Sequence, residues 1–290
     1  MKRNTIVRKN IPLSFSIVVL LISWALSFTL YTDSSAFLKY YAVIMFVPAL
    51  TAIAFNIYQH NSAKIIFSSL KTKFNLKSIL FAIGYPIAVI VVCAILASSA
   101  GFGKLNYDEL SDLLSIKGII TLLVTVIINC FTGSLGEEFG WRGYLLPLLV
   151  ESKGKLKATL WVSVVWALYH VPGLFLLAKI TGVGNPVLVA LIQGGAAFFI
   201  NFVFSYCFFI SKSLYPVLIL HSMWNYLNTK VLGNIYTNTK GIIEGNIFYI
   251  NGEGLLGLII ICITSLWFIK QIQNNNIFSK KMVNPIDIDN

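Results

Sequence analysis

Charged residues are scarce in this chain, and this scarcity is the first constraint on its fold. Only 11% of the 290 residues are charged and 57% are hydrophobic, whereas soluble domains carry about 25% charged residues. Apolar runs of about 20 residues, long enough to cross a bilayer as a helix, recur along the whole sequence. The composition excludes a soluble domain of useful size and predicts a polytopic α-helical membrane protein.

Sequence motifs for disulfide and local metal chemistry are also lacking. The four cysteines all lie in apolar segments without C-x-x-C spacing, which favours small buried side chains over disulfides or metal ligands. No H-E-x-x-H sequence occurs, no internal repeat is visible, and only three histidines are present. No local motif therefore requires zinc.

Hydropathy predicts an all-α bundle of about eight transmembrane helices, forming a single integral-membrane domain over residues 1–290. The predicted spans are 11–31, 40–58, 78–100, 118–150, 158–178, 186–211, 213–231 and 254–270. The fourth span is too long for one straight crossing and contains Pro147, which predicts a tilt, a kink or an interfacial extension. The segments 101–117 and 232–253 are predicted to be polar loops.

The basic residues are distributed unevenly across this predicted topology. If the N-terminus is cytoplasmic, most lysines and arginines fall on the cytoplasmic side, which satisfies the positive-inside rule with both termini in the cytoplasm. The same bias accounts for the net charge of +11 without a nucleic-acid partner. Lysines alternate with apolar residues between Lys64 and Lys77, which predicts a helix lying on the anionic inner leaflet. We expect a multi-pass protein of a bacterial plasma membrane, because the composition is rich in Ile, Lys and Asn.

Three ionisable residues lie together inside the fourth predicted span, namely Glu137, Glu138 and Arg142. Each charge at the centre of a spanning helix costs about 2.5–3.5 kcal/mol on insertion scales, so such a cluster needs partners or a function. Glu138 and Arg142 are four residues apart and can pair on one helix face. Glu137 is turned about 100° from Glu138 and is expected to face other groups.

Two histidines in later spans are the expected partners of Glu137. Helix rise places Glu137 and His170 roughly 20 Å from the cytoplasmic loop between their spans, and His221 roughly 14 Å from the same side. We therefore expect Glu137 to face both histidines. Asn225 shares a helix face with His221, and Trp166, one turn before His170, can pack against its imidazole.

These residue types suit the hydrolysis of a peptide bond. A buried carboxylate can take a proton from water and return it, and a histidine with an asparagine can donate hydrogen bonds to an oxyanion. Glu137, His170 and His221 could also bind zinc and leave a fourth position open. Each group has a structural interpretation as well, because a buried ion pair, a histidine or an asparagine can simply join two helices.

Three short motifs in this region resemble those of the CAAX protease and bacteriocin-processing (Abi) family of intramembrane proteases. They read EEFGWR at 137–142, WALYH at 166–170 and HSMWN at 221–225. The resemblance covers about residues 118–228, the predicted catalytic core. The second motif usually begins with Phe in this family, and here it begins with Trp166.

The resemblance implies an eight-helix intramembrane endopeptidase whose cavity opens toward the cytoplasm. Glu137 would activate water with the help of His170, while His221 and Asn225 would form the oxyanion or second catalytic pair. The residues implied to support them are Glu138, Arg142 and Trp166. Family members have been described both as metalloproteases and as metal-free glutamate enzymes. Zinc, held by Glu137, His170 and His221, therefore remains an alternative, and no tightly bound structural metal is expected.

Two other function classes use the same residue types. A non-catalytic immunity or binding protein would tolerate replacement of Glu137 and His170. A proton-coupled transporter would use them as a proton relay, but such proteins often contain repeated halves with broken helices, which this sequence does not show. For the protease, we expect a peptide or membrane-protein substrate, and a role in peptide or bacteriocin maturation or in self-immunity.

Overall fold

The computed structural model describes residues 2–60, 70 and 75–274, with side chains from residue 10 onward. Most of these residues are helical. The helices are α1 (Lys2–Tyr31), α2 (Ser34–Tyr40), α3 (Val47–His60), α4 (Leu76–Ser99), α5 (Tyr107–Leu114), α6 (Ile116–Phe131), α7 (Gly133–Gly140), α8 (Leu146–Lys153), α9 (Lys155–Thr181), α10 (Pro186–Ser211), α11 (Leu214–Leu232), α12 (Ile247–Ile250) and α13 (Leu255–Gln273). Two short strands are β1 (Gly103–Leu105) and β2 (Ile243–Gly245).

The structure confirms an all-α, multi-pass membrane protein, but with fewer long apolar helices than predicted. Six stretches of the described chain are long and apolar enough to cross a membrane. Helices α5 and α6, which are bent by 71° relative to each other, would together make a seventh. The predicted number of about eight is too high by this measure. The fourth predicted span is interrupted, and the 19 residues of α11 include many polar side chains.

The fourth predicted span, 118–150, is divided into helical pieces. Thr132 separates α6 from α7, and a five-residue π-helical turn, Trp141–Leu145, joins α7 to α8. The carbonyl of Trp141 accepts the hydrogen bond that closes this wide turn, as the i→i−5 pattern requires. Pro147 follows directly. Because proline has no amide hydrogen and its ring crowds the preceding turn, the π-turn is a physically reasonable way to absorb it.

Two glycines let α7 pack directly against the chain around the start of α3. A Cβ atom at Gly136 would lie 2.5 Å from the carbonyl oxygen of Met45, and one at Gly140 would lie 2.5 Å from the Cβ atom of Pro48. A larger residue at either position would force the two backbones apart. This close approach buries the acidic helix against a segment that lies outside the predicted catalytic core.

Helices α9, α10 and α11 complete the frame around the acidic helix. Helix α10 packs against α9, α11 and α13, and α1 packs against α9. Trp24 on α1 donates a hydrogen bond of 2.9 Å to the carbonyl of Leu168, and Trp161 on α9 donates one of 3.1 Å to Ser16. Large apolar side chains are exposed on the outer faces of α1, α4, α6 and α13, as expected of helices surrounded by lipid.

The two segments predicted to be polar loops contain more regular structure than expected. Strands β1 and β2 pair antiparallel, with Lys104 opposite Glu244. The amide of Asn106 donates a hydrogen bond of 2.8 Å to Glu244 and reinforces the pairing. The first segment also contains α5, and the second contains α12. Prediction missed the strands because each is only three residues long and is stabilised by a distant partner.

Most of the segment predicted to lie on the inner leaflet, Lys64–Lys77, falls outside the described residues. Near its end, Asn75 caps α4 by accepting a hydrogen bond of 2.8 Å from the amide of Ser78. The inner-leaflet helix and the cytoplasmic location of both termini stay predictions.

Candidate active site

Glu137 lies on α7 with its carboxylate directed toward α9. Its Oε2 accepts a hydrogen bond of 2.7 Å from the indole N–H of Trp166 and lies 3.8 Å from Nε2 of His170. The side chain of Glu137 is 2% exposed, whereas that of His170 is 24% exposed. His170 therefore forms the accessible edge of this pair, and a water molecule can approach both groups from that edge.

Glu138, the next residue, belongs to a separate ionic cluster. Its Oε1 accepts a hydrogen bond of 2.9 Å from Nη1 of Arg142 and lies 2.8 Å from Nδ1 of His221. The side chains of Glu138 and Arg142 are fully buried. A buried charge is costly unless it is paired, so this direct contact is what allows both to lie inside the bundle. The predicted pairing of Glu138 with Arg142 is confirmed.

The expectation that Glu137 faces both histidines needs one correction, because His221 makes its direct contact with Glu138 and interacts with Glu137 only electrostatically. Consecutive helical residues point about 100° apart, so the two glutamates reach different neighbours. Glu137 reaches His170 on α9, and Glu138 reaches His221 on α11. The sequence indicates the angle between the glutamates, but it does not indicate which helix lies on each side of α7.

Trp166 joins these two clusters. The predicted contact with His170 is present, with ring centroids 5.6 Å apart. The same indole lies 4.4 Å from the Cζ atom of Arg142, whose guanidinium is also 4.9 Å from the ring of Phe204. Desolvated cation–π contacts contribute about 2 kcal/mol or more. A single aromatic side chain thus orients Glu137 and stabilises the buried guanidinium.

Comparison with protein-family models identifies the central part of the chain. Residues 119–227 match the family model described as type II CAAX prenyl endopeptidase Rce1-like. The resemblance to the CAAX protease and bacteriocin-processing family is confirmed. At the level of the family, the match supports a type II CAAX protease-like endopeptidase. The comparison with curated proteins gives no match.

The CAAX protease-like segment, residues 119–227, contains every site residue predicted from the sequence. It begins within α6 and ends within α11. The helices that precede it still contribute to the site, because the chain leading into α3 supports α7 from behind. The local motifs of the CAAX protease-like segment therefore depend on packing from outside it.

Asn201 on α10 is a member of the site that sequence reasoning missed. Its Oδ1 accepts a hydrogen bond from Nη2 of Arg142. Its amide donates to the carbonyl of Thr159 at 3.0 Å and to the hydroxyl of Ser163 at 2.8 Å. A signal was available, since Asn201 is the lone strongly polar residue in the apolar run AAFFINFVF at 196–204, and such residues in spanning helices commonly join helices.

Asn225 follows His221 by one turn of α11, as predicted, but the structure does not join it to the other site residues. Its side chain is partly exposed and makes no hydrogen bond within the described part of the chain. Its backbone carbonyl accepts a hydrogen bond of 2.9 Å from Thr229. The amide group of Asn225 is therefore available to a bound molecule.

The three residues considered as zinc ligands do not converge in this arrangement. Nδ1 of His221 is engaged by Glu138, and Nε2 of His170 lies 3.8 Å from Glu137. No group of three or more His, Cys, Asp or Glu side chains among the described residues could hold a metal ion. Zinc requires its nitrogen and oxygen donors at about 2.0–2.2 Å from the ion. The side chains as placed do not fit such a site, and the mechanism proposed below uses no metal.

Hydrogen-bonding capacity remains inside the buried ionic cluster. Oε2 of Glu138 and Nε of Arg142 have no hydrogen-bond partner among the residues that the structure describes. Most buried polar atoms in proteins are satisfied. The cluster thus keeps one acceptor and one donor that a buried water molecule can satisfy.

Proposed function

We propose that the protein is an intramembrane endopeptidase in which Glu137 activates a water molecule for attack on a peptide bond. The observation that carries the proposal is a buried carboxylate, oriented by Trp166, 3.8 Å from the partly exposed His170. A purely structural carboxylate in a membrane bundle is expected to pair with a cation, as Glu138 does with Arg142. Within the described residues, Glu137 makes no ion pair with a lysine or arginine, which favours a chemical role.

The proposed reaction uses Glu137 first as a base and then as an acid. Glu137 takes a proton from water while the water oxygen forms a bond to the carbonyl carbon, and the carbonyl oxygen becomes an oxyanion. Glu137 then returns this proton to the amide nitrogen, the C–N bond breaks, and a carboxylic acid and an amine are released. His170 would hold the attacking water beside Oε2 of Glu137.

His221 and Asn225 are the proposed donors to the oxyanion. Because a carboxylate only accepts hydrogen bonds, the contact with Glu138 places a proton on Nδ1 of His221. Nε2 can then donate to an oxyanion when the imidazole carries both protons. The Asn225 amide lies one turn further along the same helix face, and two donors of this kind are the usual form of an oxyanion site.

We propose a peptide or a membrane-associated protein as substrate, and peptide or bacteriocin maturation or self-immunity in a bacterial plasma membrane as the role. Two observations support this choice. The acidic helix is buried within a multi-pass bundle, so the substrate must approach from the bilayer or its surface. The exposed apolar faces of the outer helices match a lipid environment.

The test compares cleavage of a peptide panel by the purified wild-type protein and by Glu137→Gln, with and without a chelator. The matched control is Glu151→Gln, which removes the same charge from an exposed residue of α8. We expect wild type and Glu151→Gln to cleave, Glu137→Gln not to cleave, and the chelator to have no effect.

Other outcomes would contradict specific parts of the proposal. Cleavage by Glu137→Gln at the wild-type rate would refute the role of Glu137, and loss of wild-type activity with chelator would refute the metal-free mechanism. Absence of cleavage by every variant, with immunity retained in cells that express Glu137→Gln, would favour the non-catalytic binding protein.

A further inference from the structure

Glu253, a carboxylate that the proposed reaction does not use, lies just before α13. Its Oε1 accepts a hydrogen bond of 2.8 Å from the indole N–H of Trp224. Trp224 follows His221 by three residues on α11, so the two side chains lie on neighbouring parts of one helix face. Glu253 also interacts electrostatically with His221. This carboxylate is therefore linked to the edge of the candidate active site.

Glu253 forms no ion pair in the described part of the chain. The ion pairs found there involve Glu109, Glu137, Glu138 and Glu244, and none involves Glu253. The backbone amides at the start of α13 attract negative charge, which accounts for a carboxylate at this position. These amides do not supply a cation to pair with the Glu253 carboxylate.

An unsatisfied acceptor lines the same small cavity as Glu253. Gln193 on α10 is 5% exposed, and its Oε1 has no hydrogen-bond partner within the described residues. Both side chains line a cavity of about 10 Å³, whose other walls include the apolar side chains of Val183, Val189 and Phe248. A space of this size holds one water-sized group.

The groups that line the cavity favour a small ligand group with several hydrogen-bond donors. A carboxylate and an amide oxygen are both acceptors, and a primary ammonium group carries three donors and a positive charge. An ammonium group is also close to water in size, so it matches the volume of the cavity.

We propose that Glu253 and Gln193 form a subsite for a primary ammonium group of the peptide substrate. The inference depends on the proposed peptidase function, and it adds a preference that the three motifs do not contain. The ammonium could belong to a lysine side chain or to the N-terminus of the peptide, and the experiment below separates these two sources.

The main experiment measures kcat/KM for pairs of peptides that differ in one amine. In one series lysine is replaced by norleucine at successive positions, and in the other a free N-terminus is compared with an acetylated one. We expect wild type to prefer the amine at one position. Glu253→Gln keeps an acceptor for Trp224 but removes the charge, so the preference should fall by about tenfold or more, as for loss of one charge-assisted hydrogen bond.

Two further variants control for general effects on folding and charge. Gln193→Met keeps the size of the side chain without its amide and should also weaken the preference. Glu244→Gln removes a carboxylate that is bound by Asn106 outside the cavity and should leave the preference unchanged. An unchanged preference in Glu253→Gln and Gln193→Met, with both eluting as folded protein, would overturn the subsite.

Calorimetric titration with n-butylammonium separates failure of the subsite from failure of the peptidase. Binding to wild type that is lost in Glu253→Gln, without cleavage of any peptide, would support the subsite and refute the peptidase. Cleavage that is insensitive to peptide amines, with no binding of n-butylammonium, would refute the subsite and leave the peptidase intact.

Discussion

The indole N–H of Trp166 donates a hydrogen bond of 2.7 Å to Oε2 of Glu137, while the same ring lies 4.4 Å from the guanidinium of Arg142. One side chain thus contacts both the proposed base and the buried ion pair. The family pattern usually has Phe at this position, and Phe has no N–H to donate. In this chain the orientation of Glu137 therefore depends on a donor that the usual residue does not supply.

Replacing Trp166 by Phe tests this dependence. We expect Trp166→Phe to lower kcat/KM for a cleaved peptide by about tenfold, because a hydrogen bond to a charged group contributes roughly 1.5–3 kcal/mol. Trp161→Phe is the matched control, since it removes an indole donor to Ser16 on the other side of α9. Equal activity of Trp166→Phe and wild type would show that this hydrogen bond is not needed to orient Glu137.

Variants of Glu137 and of the buried Glu138–Arg142 pair should separate catalysis from stability. We expect Glu137→Gln to lose cleavage and keep the wild-type unfolding temperature in detergent. Arg142→Ala should lower that temperature strongly, because breaking a buried pair leaves the charge of Glu138 uncompensated at a cost of about 3–5 kcal/mol. Thermal unfolding, monitored by intrinsic fluorescence, measures the unfolding temperatures of both variants. Equal unfolding temperatures for Arg142→Ala and wild type would contradict the structural role of the ion pair.

Asn201 should act as a positioning residue for Arg142. Asn201→Leu keeps the approximate size but leaves the guanidinium, Ser163 and the carbonyl of Thr159 without their partner, so we expect a loss of about 1–3 kcal/mol in the free energy of unfolding. We also expect lower kcat with little change in KM, because Asn201 is fully buried and acts through Arg142. A change confined to KM would argue against this role.

The close approach behind α7 predicts that Gly136 cannot carry a side chain. Gly136→Ala would place a methyl group 2.5 Å from the carbonyl oxygen of Met45, and we expect it to destabilise the protein by about 1–3 kcal/mol and reduce cleavage. Gly84→Ala is the control, because nothing lies within 4 Å of its added Cβ atom on α4. If both variants unfolded at the wild-type temperature, the tight packing of α7 would be refuted.

Much of the site could be predicted because many of its contacts join residues that are close in the sequence. The i,i+4 spacing predicted the ion pair between Glu138 and Arg142, and the same spacing predicted the contact between Trp166 and His170. The rise per residue of a helix also placed Glu137 and His170 at a similar depth, on consecutive helices. These predictions depend only on the geometry of one helix or of two consecutive antiparallel helices.

The missed features all depend on partners that are distant in sequence. His221 was expected to face Glu137 and makes its direct contact with Glu138, because the rotation of α7 relative to α11 is set by packing. Asn201 was overlooked because its role appears only when α10 brings it to Arg142. The sequence predicted a kink or tilt within 118–150 but not where the helix breaks, and the glycine contacts that position α7 involve a segment about 90 residues earlier.

The sequence by itself determined that the chain is a multi-pass helical membrane protein with motifs that resemble those of the CAAX proteases, and which of the predicted site residues share a helix face. Hydrophobicity and helical periodicity are properties of local sequence, so they can be read without a structure. Only the tertiary structure decided which helix each glutamate faces, that Trp166 donates to Glu137, and that Glu253 and Gln193 share a cavity. Those relationships depend on how helices rotate and pack against one another, and that choice is made by the whole set of interhelical contacts.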